Sequence, residues 1–185
     1  MEVKSPHKKT MKRYIYPYFL ILTVVMLLLS ACVGHPDVPS SSKEVKSLPA
    51  IFPDNCNVTV PCNIAPLNFM LPADEFSECV ARFTTSDGKQ QTYGNGVKVQ
   101  IPEDEWRTML QTSKDKSIKV EVWGRKEDQW LKFSPFDICV AEDPIDEYVS
   151  YRLIEPSYVA WTYMEIAQRN LTTFEETIRH EFVNG

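Results

Sequence analysis

Two groups of carboxylates stand close enough in the chain to suggest acid–base chemistry. Glu103, Asp104 and Glu105 are consecutive; Asp143, Asp146, Glu147 and Glu155 spread over a second stretch. Paired carboxylates of this kind carry out glycoside hydrolysis when one protonates the leaving oxygen and the other attacks or activates water. A plainer account covers the first group. It follows Pro102 at the start of a helical pattern, where negative charge complements the helix dipole. The second group lies in a connecting segment, where carboxylates are solvated. Nucleophilic catalysis has less support: there is no G-x-S-x-G, and a triad would have to use His180, near the C-terminus. Thr92–Val97 (TYGNGV) lacks the lysine and helix of a phosphate loop. Cys56, Cys62, Cys79 and Cys139, with His35 and His180, do not have zinc-ligand spacing. The chain therefore reads as non-enzymatic, with no metal site and no cofactor.

Those four cysteines allow three disulfide pairings, and structural disulfides or buried free thiols are the two readings. Cys56–Cys62 would close the short loop NCNVTVPC, while Cys79 and Cys139 fall in expected strands and would either bridge or pack. Aromatic chemistry is concentrated further along. Tyr148, Tyr151, Arg152, Glu155, Tyr158, Trp161 and Tyr163 fall within a short run, with Arg152 placed to pair with Glu155 or Asp146. Aromatic residues with arginine are the composition of an interface core. The run is accordingly expected to be a docking seam, with a ligand cleft as the alternative drawing on the same residue types. Trp106, Trp123 and Trp130 would stack on sugars if exposed; Trp123 and Trp130 would equally serve as a cross-strand pair of one hairpin.

The N-terminus addresses location. Lys8, Lys9, Lys12 and Arg13 precede the apolar run Phe19–Leu29, and Ser30 and Ala31 then lead to Cys32. A basic region, a short apolar stretch and small residues make a secretory signal, and the run is short for a bilayer span of about 20 residues. Leu29–Cys32 (LSAC) resembles the lipobox of bacterial lipoproteins, which implies a signal over residues 1–31 and acylation of Cys32. The expected location is the cell envelope, lipid-anchored and extracytoplasmic, at the outer membrane on its periplasmic or surface side. Loss of residues 1–31 removes Lys4, Lys8, Lys9, Lys12 and Arg13 but only Glu2, leaving 15 basic and 24 acidic residues. A net charge near −9 argues against nucleic acid as a partner.

Residues 32–50, rich in proline and serine, read as a flexible tether. Residues 51–141 carry strand patterns. Cys79–Thr85, Val97–Ile101, Ile118–Trp123, Trp130–Phe133 and Phe136–Val140 are the main ones, with Val58–Val60 and Leu67–Leu71 as shorter edges. Ser86–Lys89 (SDGK) signals a turn. Within Ile101–Lys114 the spacing of Trp106, Met109 and Leu110 predicts a helix. The expected fold is mainly β: an immunoglobulin-like β-sandwich with one short inserted helix. Residues 142–185 are expected to form an extended and helical docking segment. Its helix would start at Thr172 as N-cap with Glu175 three residues on, aligning Phe174, Ile178 and Phe182 on one face.

Pro144–Ala160 (PIDEYVSYRLIEPSYVA), Gln168–Thr172 (QRNLT) and Asn63–Phe69 (NIAPLNF) resemble a family of lipoproteins from Bacteroidetes. The resemblance covers the chain downstream of Cys32. It implies that these residues are the N-terminal portion of a longer architecture, continuing into a C-x-N-C-H haem-like motif and TolB-like β-propeller repeats. Such proteins are sometimes labelled as related to cytochrome c biogenesis. The motif and repeats are not in this sequence, so haem is not expected here. The implied partners are the bilayer, through Cys32, and a downstream domain or envelope protein. The implied function is a membrane-tethered, non-catalytic interaction module. A glycan-binding or glycan-processing lipoprotein, and a truncated product without an independent role, are the alternatives.

Overall fold

A computed structural model describes residues 35–154 and 163–183. The signal segment, Cys32, Glu155, Tyr158 and Trp161 lie outside the described residues. In chain order the body contains β1 (Lys43–Glu44), β2 (Thr59–Val60), β3 (Phe69–Met70), β4 (Glu78–Thr84), β5 (Gln90–Tyr93) and β6 (Lys98–Val99). After these come α1 (Glu103–Thr112), β7 (Lys116–Lys126), β8 (Gln129–Lys132) and β9 (Phe136–Val140). A C-terminal part adds β10 (Tyr148–Ile154), β11 (Tyr163–Asn170) and β12 (Glu176–Val183). The fold is mainly β and sandwich-like, as the alternating patterns predict.

The large sheet is organised by β7. One edge of β7 takes β4, in a register running from Glu78 opposite Arg125 to Thr84 opposite Lys119. The other edge takes β9 along Lys116–Val120 and β8 along Trp123–Lys126. Outside these, β5 pairs with β4, β2 runs parallel to β9, and β1 runs parallel to β8. Alternation then decides the faces. Cys79, Ala81 and Phe83 of β4, Ile118, Val120 and Val122 of β7, and Phe136, Ile138 and Val140 of β9 are all buried. They meet a second layer made by β3 paired with β6, the Phe52–Met70 bridge, and α1. Side chains such as these contribute about 1.5–3 kcal/mol each on burial.

The helix forms where its pattern places it, beginning at Glu103 directly after Pro102. Trp106, Met109 and Leu110 are buried, and the Trp106 Nε1–H donates to the carbonyl of Ile64 at 3.0 Å. The acidic first turn is present, but only part of it is free to serve the dipole. Glu103 pairs with Arg107, and Glu105 accepts from the Tyr93 hydroxyl at 2.6 Å and from Gln91 at 2.8 Å, fastening α1 to β5. The glycines of TYGNGV also have structural work. A Cβ on Gly94 would lie 2.3 Å from the Cys79 carbonyl oxygen, and Gly96 has φ +57°.

Three expectations are corrected. Residues 35–50 are not a loose tether. His35 is bonded at Thr92, Lys43 and Glu44 pair with β8, the Val45 amide donates to Lys132, and the Ser134 amide donates to Ser47. The C-terminal helix is a strand: β12 occupies Glu176–Val183. Finally, Cys56, Cys62, Cys79 and Cys139 are all free thiols. Cys79 stands opposite Gly124 and Cys139 opposite Ser117 on the two edges of β7. Seven residues along a strand separate them by roughly 23 Å, far beyond disulfide reach. Cys56 and Cys62 direct their sulfurs to different carbonyls, those of Pro49 and Glu142.

Candidate functional site

Of the residues predicted to dock a partner, Tyr148, Tyr151, Arg152 and Tyr163 fall on a separate antiparallel sheet, in the order β10–β11–β12. Its base is fixed to the body by backbone and amide groups. Asn63 grips Ile145 from both sides, donating from Nδ2 to its carbonyl at 2.8 Å and accepting its amide at 3.0 Å. The Ala65 amide donates to Leu171, whose own amide donates to Glu147. Glu147 also accepts from Asn170 Nδ2 at 3.0 Å, so this carboxylate is structural. Asp143 and Asp146 are exposed, and Glu155 lies outside the described residues.

The turn joining β11 to β12 explains why the capping pattern fails. Asn170 Oδ1 collects the amides of Thr172 and Thr173 and the Thr172 hydroxyl, an Asx arrangement that ties up the proposed N-cap. The Asn170 carbonyl accepts from the Phe174 amide, and Phe174 itself has φ +63°, which ends any helix there. Arg169 lies over the Phe174 ring at 5.4 Å. Along β12 the register then shifts between Ile166 and Ala167, leaving Arg179 as the extra residue of a bulge. Its guanidinium donates to Gln168 at 2.8 Å.

Cross-strand registers sort the sheet into two faces. Val149, Tyr151 and Leu153 share a face with Ala167, Arg169, Glu176 and Ile178; Tyr148 and Arg152 share the other with Ile166. Val149, Leu153 and Ile178 are 40 %, 41 % and 40 % exposed, around an Ala167 that is fully covered. Tyr151 donates its hydroxyl to Glu176. On the second face Tyr148 is 48 % exposed. Of the expected seam, Tyr148, Tyr151 and Arg152 are thus brought onto this sheet, and the backbone of Tyr163 opens β11. The aliphatic stripe of Val149, Leu153 and Ile178 was missed in the sequence, because Ile178 was assigned to a helix face.

A second cluster lies on the outward face of the large sheet. Glu121 accepts from Arg82 Nε at 2.9 Å and Nη2 at 2.5 Å, and from Lys132 Nζ at 3.1 Å. Both cations lie over the Trp123 ring, at 5.3 and 5.4 Å. Burial alone would raise the Glu121 carboxyl, but the hydrogen bonds from Arg82 and Lys132 outweigh it and hold the group below its ordinary value. Trp123 is 2 % exposed and Trp106 is 1 % exposed, so neither presents a ring for sugar stacking. The half-buried Trp130 stands opposite Arg125 rather than Trp123, and lines a shallow depression of about 450 Å3 with Ser40, Ser41, Ser42 and Gln129. Among the described residues no group of three or more His, Cys, Asp or Glu could hold a metal ion. Burial pushes the Cys79 thiol up to about 12 and, aided by Asp54, the Cys56 thiol up to about 11, which disfavours the thiolate of each near neutral pH. No family model, curated protein or solved structure matches the chain.

Proposed function

We propose that the chain is a non-catalytic interaction module of the extracytoplasmic cell envelope, lipid-anchored through Cys32, whose C-terminal sheet docks a further domain or envelope protein. The observation that carries this reading is the exposed stripe of Val149, Leu153 and Ile178 on a sheet that, among the described residues, is joined to the body at its base through Asn63–Ile145 and Ala65–Leu171. Apolar side chains gathered on one face, with Tyr148 on the reverse, have the composition of an interface core. The signal-like segment and LSAC support the anchor, and the acidic balance of the exported part supports a protein rather than a nucleic acid partner.

Two measurements test it. The intact mass of the protein extracted from its own membranes is expected to begin at Cys32 and to include acyl chains; a mass retaining residues 1–31 without them rejects the anchor. A Val149→Asp, Ile178→Asp double variant is expected to melt within about 0.5 kcal/mol of wild type, as surface changes usually do. It is also expected to lose the protein co-purified from those membranes, and persistent co-purification rejects the docking surface.

The glycan-binding alternative keeps one observation in its favour, the depression where Trp130 stands beside three serine hydroxyls. Protection of Trp130 fluorescence by added envelope polysaccharide, lost in Trp130→Ala, would favour it over docking.

A further inference from the structure

We infer that residues 35–45 form a strap that holds the body against the bilayer surface, with the corner made by Thr92, Tyr93 and Glu105 facing the lipid headgroups. This rests on the reading of Cys32 as the lipid-bearing residue and adds an orientation to it. Among the described residues His35 is the point of attachment nearest the anchor. Its Nδ1–H donates to the Thr92 carbonyl at 2.9 Å, its Nε2 lies 3.8 Å from Glu105 Oε1, and its ring meets the edge of Tyr93 at 5.4 Å between centroids. Eight residues on, Lys43 and Glu44 pair with Leu131 and Lys132. Because the sheet order is β1–β8–β7–β4–β5, the two ends of the strap are fixed at opposite edges of that sheet. Pro39–Lys43 border the outward-facing Trp130, while His35 meets Tyr93 and Glu105 at the β5 edge.

Chain geometry then decides the orientation. A free tether from Cys32 to Ala50 would allow the body to lie up to about 60 Å from its lipid at full extension. Attachment at His35 leaves three residues, or about 11 Å. The polar layer on each side of a bilayer is itself roughly 5–8 Å thick. The Thr92–Glu105 corner is therefore held at the headgroups, while release of His35 alone would let the free length grow to about 37 Å, up to Lys43. The corner exposes Glu103 and Asp104, and Glu105 is occupied by His35, Tyr93 and Gln91. Contact with lipid is consequently imposed by the covalent anchor and not by charge attraction, and it is insensitive to salt.

The test uses the full acylated protein in phosphatidylcholine vesicles carrying a headgroup spin label. A fluorophore is placed at Asp104→Cys in a Cys139→Ser background, or on the native exposed Cys139. The registers place Cys139 three strands across and four residues along from Thr92, roughly 20 Å away. Quenching is expected to be several-fold stronger at residue 104 than at residue 139. That difference is expected to fall in His35→Ala and to vanish when a long Gly-Ser insert separates Gly34 from His35. Equal quenching at both positions, in protein whose mass carries acyl chains, overturns the orientation and leaves the anchor standing. A mass without acyl chains overturns both.

Discussion

Glu121 shows how single residues in this protein are held in place by opposing costs. Its carboxylate is nearly covered, which disfavours charge, yet two cations complete their hydrogen bonds on it and stack against Trp123. Its pKa is held below the ordinary carboxylate value, so the folded state binds its proton less readily than the unfolded state does. The resulting stability is fully present above the unfolded carboxylate range and is lost as pH falls through the folded value. Arg82 and Lys132 are partly exposed, which limits the gain through solvent screening. Glu121→Gln is expected to lose about 1–2 kcal/mol in urea unfolding at neutral pH. In acid, where the wild-type carboxyl is itself protonated, the two proteins are expected to converge; an undiminished gap there would assign the loss to packing. Nothing in the sequence marked Glu121, because its partners lie thirty-nine residues upstream and eleven downstream and meet only through strand pairing. Trp123 gave a misleading signal for the same reason: an indole between two cations reads in sequence like one waiting for a sugar.

At the scale of elements, legibility followed the strength of local patterns. Phe136–Val140 and Ile118–Trp123 alternate cleanly, and both are strands, the second extended to Lys116–Lys126. Val97–Ile101 alternates as well but pairs only over Lys98–Val99, because its partner β3 is equally short and flanked by prolines. The proline–serine segment looked unstructured because its order comes from the large sheet and not from its own side chains. The largest miss was β12. Thr172 and Glu175 satisfy a capping box, and Phe174, Ile178 and Phe182 are spaced for a helix face, but Asn170 captures the amides a helix start would need. An Asn-Leu-Thr-Thr turn has its own side-chain mechanism, which was available in the sequence and outweighed the cap. Asn170→Ala is expected to raise hydrogen exchange at the amides of Thr177 and Ile178 while leaving those of Val120 and Val122 unchanged. Unchanged exchange in β12 would show that the Asx turn is dispensable. The expected local cost is about 1–2 kcal/mol, the value of hydrogen bonds removed with their acceptor.

For the whole molecule the question is whether the body and its C-terminal sheet unfold as one. Among the described residues the buried core cluster runs from Ile51 to Val140 and its partly buried fringe from Val45 to Leu131, with no member from the C-terminal sheet, whose buried Ala167 stands apart from it. That sheet is tied to the body by the Asn63–Ile145 pair, the Ala65–Leu171 bond and Thr172 at the rim of a small depression beside Trp106 and Leu110. The hydrogen bonds among these are worth about 0.5–1.5 kcal/mol each, against hydrophobic burial several times larger inside the body. Cooperativity should therefore divide near Glu142, where the Cys62 thiol donates to the chain leaving β9. A protein ending at Asp143 is expected to keep a single cooperative melt and native-like near-ultraviolet dichroism. In the full chain, exchange in β10–β12 is expected to proceed by local opening at lower free energy than in β4 and β7. Loss of cooperative folding in the shortened protein would make the C-terminal sheet part of the core unit. A sheet that opens separately from a stable body is one that a partner can order by covering its aliphatic stripe, with the docking energy then appearing as added protection in β10–β12 alone.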